Sequence, residues 1–143
     1  MLPSRHLVAT TLISVLFWRY FGSFKYALVS FLAGIFIDLD HFLDYYLHHG
    51  RKIKLRQFYN FFTKGEMEFV VLVFHSFELI IALWLAIALF RLGIFWLALA
   101  VGLTQHMFFD LLANAVKPQA YFVIYRIKKS FKKEHFFRKA GNK

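Results

Sequence analysis

The residues of this chain with chemistry to offer are few and clustered. Asp38, Asp40, His41 and Asp44 fall within seven positions at the end of an apolar run, His75 and Glu78 stand three apart, His106 and Asp110 stand four apart, and His6 lies near the start. A bare carboxylate in an apolar setting is costly and shifts toward its neutral form. A bound cation is the natural compensation. Positions i and i+3 or i+4 share one face of a helix, so His75 with Glu78, His106 with Asp110, Asp38 with His41 and Asp40 with Asp44 are predicted to project in pairs, as in metal sites inside helix bundles. Asp38 and Asp40 lie about 200° apart around a helix. Both reach one site only if the helix frays there or two metal positions exist, and which of them faces the site is left open.

The chain has no cysteine, so any metal must be held by His and carboxylate, a donor set that suits zinc first and manganese or iron as alternatives. The predicted metal ligands are His6, Asp38, Asp40, His41, His75, His106 and Asp110, with Glu78 or Asp44 as the catalytic base or as partners of the ligands. His48, His49 and His135 read as surface residues. Ser76, in the stretch FHSFE, reads as a helix serine bonded to its own backbone, because no general base stands beside it to make it a nucleophile.

The elements that must position these groups are apolar helices. The composition is 59% hydrophobic, above the ~45–50% of an ordinary soluble domain, which points to lipid. Four spans are predicted, at about 6–22, 24–40, 68–90 and 92–116. The first two are short against the roughly 20 residues a spanning helix needs, but aromatic and basic borders such as Trp18-Arg19-Tyr20 extend them into the membrane interface. No small-x-small cleavage site follows the first run, which is therefore read as retained.

Four spans put both termini and the middle loop on one side. That side carries fifteen of the 18 Lys and Arg residues, which makes it cytoplasmic by the positive-inside rule. The expectation is an all-α, four-helix inner-membrane protein forming one domain over 1–143, with N- and C-termini cytoplasmic and the ionisable residues of all four spans at similar depth. Such residues inside spans are functional candidates by default. The basic segments at about 47–66 and 119–138 read as amphipathic pieces on an anionic leaflet, the second as a helix over 121–137 followed by a disordered Gly141-Asn142-Lys143 tail. The charge of +10 is thus explained by topology, and no nucleic-acid partner is expected.

The order of these motifs resembles a family: His6, then IDLDHF, then FHSFE, then GLTQHMFFD. It is similar to the inner-membrane-associated metal-dependent hydrolases of the LexA-binding type, over residues 6–114. Two departures are Val70-Val71-Leu72, where members often carry His-Arg-Gly, and Ile37, where the usual residue is proline. A looser similarity, in the His-x-x-x-Asp and His-x-x-Glu pairs, is to zinc-dependent phospholipase C. These resemblances imply a small helical membrane protein with hydrolase activity, phosphoester chemistry included. A divalent metal would then lower the pKa of a bound water to about 7, with Glu78 or Asp44 as base, and Arg126 with nearby lysines would hold an anionic lipid headgroup at the membrane surface. Two rival readings are a non-catalytic metal-binding or ion-handling protein and an interaction module binding anionic lipid. Only Thr10, Thr11, Ser14, Ser23 and Ser30 offer polar groups toward the far side, which disfavours conduction.

Overall fold

A computed structural model describes residues 3–51, 54–64 and 66–137, without the side chains of 3–5. Lys52 and the Gly141-Asn142-Lys143 tail lie outside the described residues. The fold is all-α: α1 (Pro3–Phe21), α2 (Phe24–Phe36), α3 (Leu39–His49), α4 (Leu55–Thr63), α5 (Phe77–Phe90), α6 (Ile94–Ala113) and α7 (Val123–Lys128), with 3-10 turns at Pro118–Tyr121 and Lys133–His135. Among the described residues there is no strand, only two isolated bridges, Phe69 with Lys132 and Val116 with Phe137. Two helical stretches, Phe24–His49 and Ile94–Ala113, are long and apolar enough to cross a membrane by length and composition. The chain divides into two compact units, one of residues 1–37 and 77–114, the other of 38–76 and 115–143.

The first unit holds α1, α2, α5 and α6. Gly22 closes α1 at φ +67°, its N–H bonded to the Trp18 carbonyl at 2.8 Å, as a left-handed C-terminal glycine does. α6 packs chiefly against α2, and α1 against α2. The fit is made by small residues. A Cβ on Gly102 would collide with the carbonyl oxygen of Ser30, and one on Gly34 with the side chains of Gln105 and Thr10. Backbones that approach this closely require glycine, as at small-x-x-x-small helix contacts.

These contacts fix the register. Ser30 lies against Gly102 and Gly34 against Gln105, so α2 and α6 run parallel; His6 meets Asp110 while Thr10 meets Gln105, so α1 is antiparallel to α6. The unit buries polar groups among small apolar ones and exposes large apolar side chains. His6, Thr10, Ser14, Ser30, Gln105, His106 and Asp110 are buried, whereas Leu12, Leu16, Leu28, Leu85, Leu89 and Leu112 are exposed. A helix unit in water buries the opposite set.

The second unit packs α3, α4 and the segments around them on Tyr45, Phe61, Met67, Val70, Ala120 and Phe136. Two expectations change here. The helix predicted from 68 begins only at Phe77, because the backbone of 68–75 is held by side chains of α3, which offer its N–H groups an alternative to helical bonding. The helix expected over 121–137 stops at Lys128: Ser130 and Phe131 adopt φ of +50° and +57°, a turn that returns the Phe131 N–H to the Arg126 carbonyl at 2.9 Å.

Candidate metal and positioning sites

In the first unit, the four-residue spacing of α6 carries Ala98, Gly102, His106 and Asp110 down one face. His106 sits one turn beyond the Gly102 contact, and its Nδ1–H donates to the Gly34 carbonyl at 2.7 Å. That carbonyl is among the last of α2, where a helix runs short of its own donors. The bond fixes the imidazole tautomer and leaves Nε2 with its lone pair, the arrangement found in metal-bound histidines. His106 Nε2 lies 3.6 Å from Asp110 Oδ2, and His6 Nε2 lies 3.0 Å from Asp110 Oδ1.

Asn114 Nδ2 donates to that same Oδ1 at 2.8 Å and so orients the carboxylate. The two imidazoles stack, with centroids 4.2 Å apart and planes 11° from parallel. His6, His106 and Asp110 each offer a ligand atom, all within 4.8 Å of one another. Donor atoms about 2.0–2.2 Å from a tetrahedral zinc lie roughly 3.3–3.6 Å apart. The two imidazoles approach opposite oxygens of one carboxylate, at 3.0 Å from Oδ1 and 3.6 Å from Oδ2, and two imidazoles with one carboxylate is a zinc-type set.

Gln105, the neighbour of His106, donates to Thr10 Oγ1 at 2.7 Å. This strut ties α6 to the turn of α1 that follows His6, and it lies in the notch left by Gly34. Its part in the site was not foreseen from the sequence. The available signal was a glutamine in an apolar helix, which needs a partner wherever it is buried.

In the second unit, α3 presents Asp40, Asp44 and His48 along one face, four residues apart. Each accepts backbone N–H groups from the extended segment before α5. Asp40 Oδ2 accepts from Phe74 at 2.6 Å and from His75 at 3.2 Å. Asp44 Oδ1 accepts from Val71 at 3.0 Å. His48 Nε2 accepts from Glu68 at 3.4 Å and Phe69 at 3.5 Å. Asp40 Oδ2 also accepts from His75 Nδ1 at 3.4 Å, which puts the imidazole lone pair on Nε2.

That nitrogen faces Asp38. Asp38 Oδ1 lies 3.5 Å from His75 Nε2 and 3.5 Å from His41 Nε2. In this unit it is therefore Asp38 that faces the two imidazoles, while Asp40 positions His75. The Asp38 and His41 side chains are 37% and 30% exposed, so this cluster is open on one side where the His6, His106 and Asp110 triad is closed.

The other predicted residues are placed as follows. Asp44 is fully buried, with Oδ1 engaged by Val71. Glu78 is half-buried in the first turn of α5; His75 precedes that helix, so the two do not share a helical face. Arg126, expected at the surface, is 2% exposed: it donates from Nη2 to the His75 carbonyl at 3.1 Å and lies within electrostatic reach of Asp44. His48 and His49, expected at the surface, are half-buried and stacked on Phe69 and Tyr45, whereas His135 is exposed on its side chain at 39%. Ser76 is buried just before α5 rather than within it.

No family model, no curated protein and no solved structure matches the chain.

Proposed function

We propose that the chain is a membrane-embedded, metal-dependent hydrolase acting on a lipid or lipid-linked phosphoester at the cytoplasmic face of the inner membrane. One observation carries the reading. The α1, α2, α5 and α6 unit buries His6, Thr10, Ser14, Ser30, His106 and Asp110 while Leu12, Leu16, Leu85 and Leu89 are exposed, and the buried set includes three side chains whose candidate ligand atoms lie within 4.8 Å of one another. Hydrocarbon around the helices accounts for the exposed apolar faces, and coordination accounts for two buried imidazoles beside a carboxylate.

In this reading four helices cross or enter the membrane, with the basic segments on the cytoplasmic side against anionic lipid. The 14 residues of α5 span only about 21 Å, so the bilayer thins around it or the Phe74 and Phe77 region takes up the remainder. His6, His106 and Asp110 form the first ligand set, and Asp38, flanked by His75 and His41, is the second candidate cation position. A divalent ion, zinc first, would supply Lewis acidity and a bound water whose pKa is lowered to about 7.

The residues of the chain do the rest. Asp40 and Gly34 fix the tautomers of His75 and His106, and Asn114 orients Asp110. Arg126 braces the His75 carbonyl. Asp44 is committed to the Val71 amide, which leaves Glu78 as the better candidate for general base. The half-open Asp38 and His41 edge is where a substrate would be admitted, as catalytic sites keep one position free.

The test is hydrolysis. Purified protein in vesicles of phosphatidylethanolamine and phosphatidylglycerol, supplied with zinc or manganese, is expected to release a phosphorylated or dephosphorylated lipid product. Chelation, and His75→Ala or His106→Ala, should each lower the rate by about 10²-fold or more, the scale set by loss of a metal-bound nucleophile. Product formation that persists in chelator and in both variants would sink the proposal.

A further inference from the structure

The third rung on α3 is occupied by a histidine that the sequence placed at the surface. His48 Nδ1 lies 2.8 Å from the Asp44 carbonyl, and that oxygen can only accept, so Nδ1 carries the proton. Nε2 is then bare, and it receives the Glu68 and Phe69 amides. The ring also stacks on Phe69 at 3.7 Å.

His48 therefore anchors the start of the segment whose middle is held by Asp44 and whose end, His75, is held by Asp40. The rungs are one turn apart, about 6 Å along α3, and meet the backbone at residues 68–69, 71 and 74–75. With the first rung lost, Val71 and His75 remain tethered only by the carboxylates. We propose that His48 is a positioning residue for the Asp38, His41 and His75 cluster, acting through the backbone of residues 68–75. The proposal rests on the reading of that cluster as a cation site.

Two substitutions separate this role from packing. His48→Phe keeps a flat ring against Phe69 and removes the acceptor. His48→Gln removes the ring and places a carbonyl oxygen close to the position of Nε2. Amide hydrogen exchange and zinc titration are measured on the whole protein in detergent. In His48→Phe, the amides of Val71, Phe74 and His75 should exchange at least about tenfold faster, with those of α6 unchanged, and zinc affinity should fall by about tenfold. His48→Gln should restore most of both, and His48→Phe should add nothing to the loss caused by His75→Ala.

Unchanged exchange in His48→Phe overturns the proposal, as does His48→Gln exchanging as fast as His48→Phe. Faster exchange with unaltered zinc affinity also overturns it, by making His48 a packing residue only. If His75→Ala itself leaves zinc binding intact, the cation-site reading falls and takes the proposal with it. If His75→Ala weakens zinc and His48→Phe does not, the role of His48 alone is lost.

Discussion

Replacing Gly102 by alanine is expected to destabilise the protein by about 2–3 kcal/mol, within the range for overpacking a close contact, and to weaken zinc binding by about tenfold or more. The added methyl would collide with the backbone carbonyl of Ser30 and lie 2.9 Å from the Ala33 Cβ. No side-chain rotation relieves a clash with backbone. α2 and α6 must separate, and the His106 bond to the Gly34 carbonyl, one turn along both helices, stretches with them. The control is Gly93→Ala, at a glycine with nothing within 4 Å of its would-be Cβ and an ordinary φ of −71°. As the N-cap of α6, where alanine is poorer than glycine, it should cost no more than about 1 kcal/mol. Thermal unfolding in detergent and zinc titration read both effects, and a Gly102→Ala protein that behaves like Gly93→Ala would refute the close-packed α2 and α6 contact.

Asp40→Ala is expected to be the most damaging change in the second unit. It strips the acceptor from the Phe74 and His75 amides and from the His75 ring. Two of these three bonds are buried, and a buried donor left without a partner costs about 1–3 kcal/mol, so the loss is roughly 2–6 kcal/mol, a large part of a typical domain stability of about 5–15 kcal/mol. Asp40→Asn keeps an oxygen for the amides and should recover most of the stability. Its neutral oxygen is a weaker acceptor for His75 Nδ1–H, so zinc affinity should stay reduced. Were Ala and Asn to unfold at the same temperature, the amide clamp would not be what Asp40 provides.

Part of this architecture was legible in the residues. The four-residue step from His106 to Asp110 put both on one helical face, and the burial of His6 beside them follows from an apolar first helix that carries a single histidine. The acidic cluster was also visibly too costly to be idle. Its internal division of labour was not readable, because it depends on the segment 68–75. That stretch is apolar enough to pass for the start of a helix, yet its amides are captured by α3, a non-local effect that periodicity does not register. The face shared by His75 and Glu78 was lost with that helix, and with it the simplest pairing of a histidine and its base.

Arg126 and His48 were misplaced for a related reason. Both sit in basic, mixed-polarity stretches whose composition fits an interface, and only tertiary contacts bring them inward to the His75 carbonyl and to the Glu68 and Phe69 amides. Gly34 and Gly102 left a fainter trace. Gly102 stands four residues before His106, and Gly34 four after the buried Ser30, spacings of close helix contact that gain meaning once the helices are known to touch.

The central claim is that His6, His106 and Asp110 hold a metal ion, and its most direct test is metal content. Protein extracted from membranes in a mild detergent and purified without chelator should carry at least one equivalent of a divalent transition metal, zinc first, per chain by mass spectrometry of the elements. His106→Ala and Asp110→Asn should each lower that content by about one equivalent while the helical circular dichroism is retained. Wild-type protein that takes up no metal even when zinc is supplied in excess, with His106→Ala and Asp110→Asn indistinguishable from it, would contradict the account.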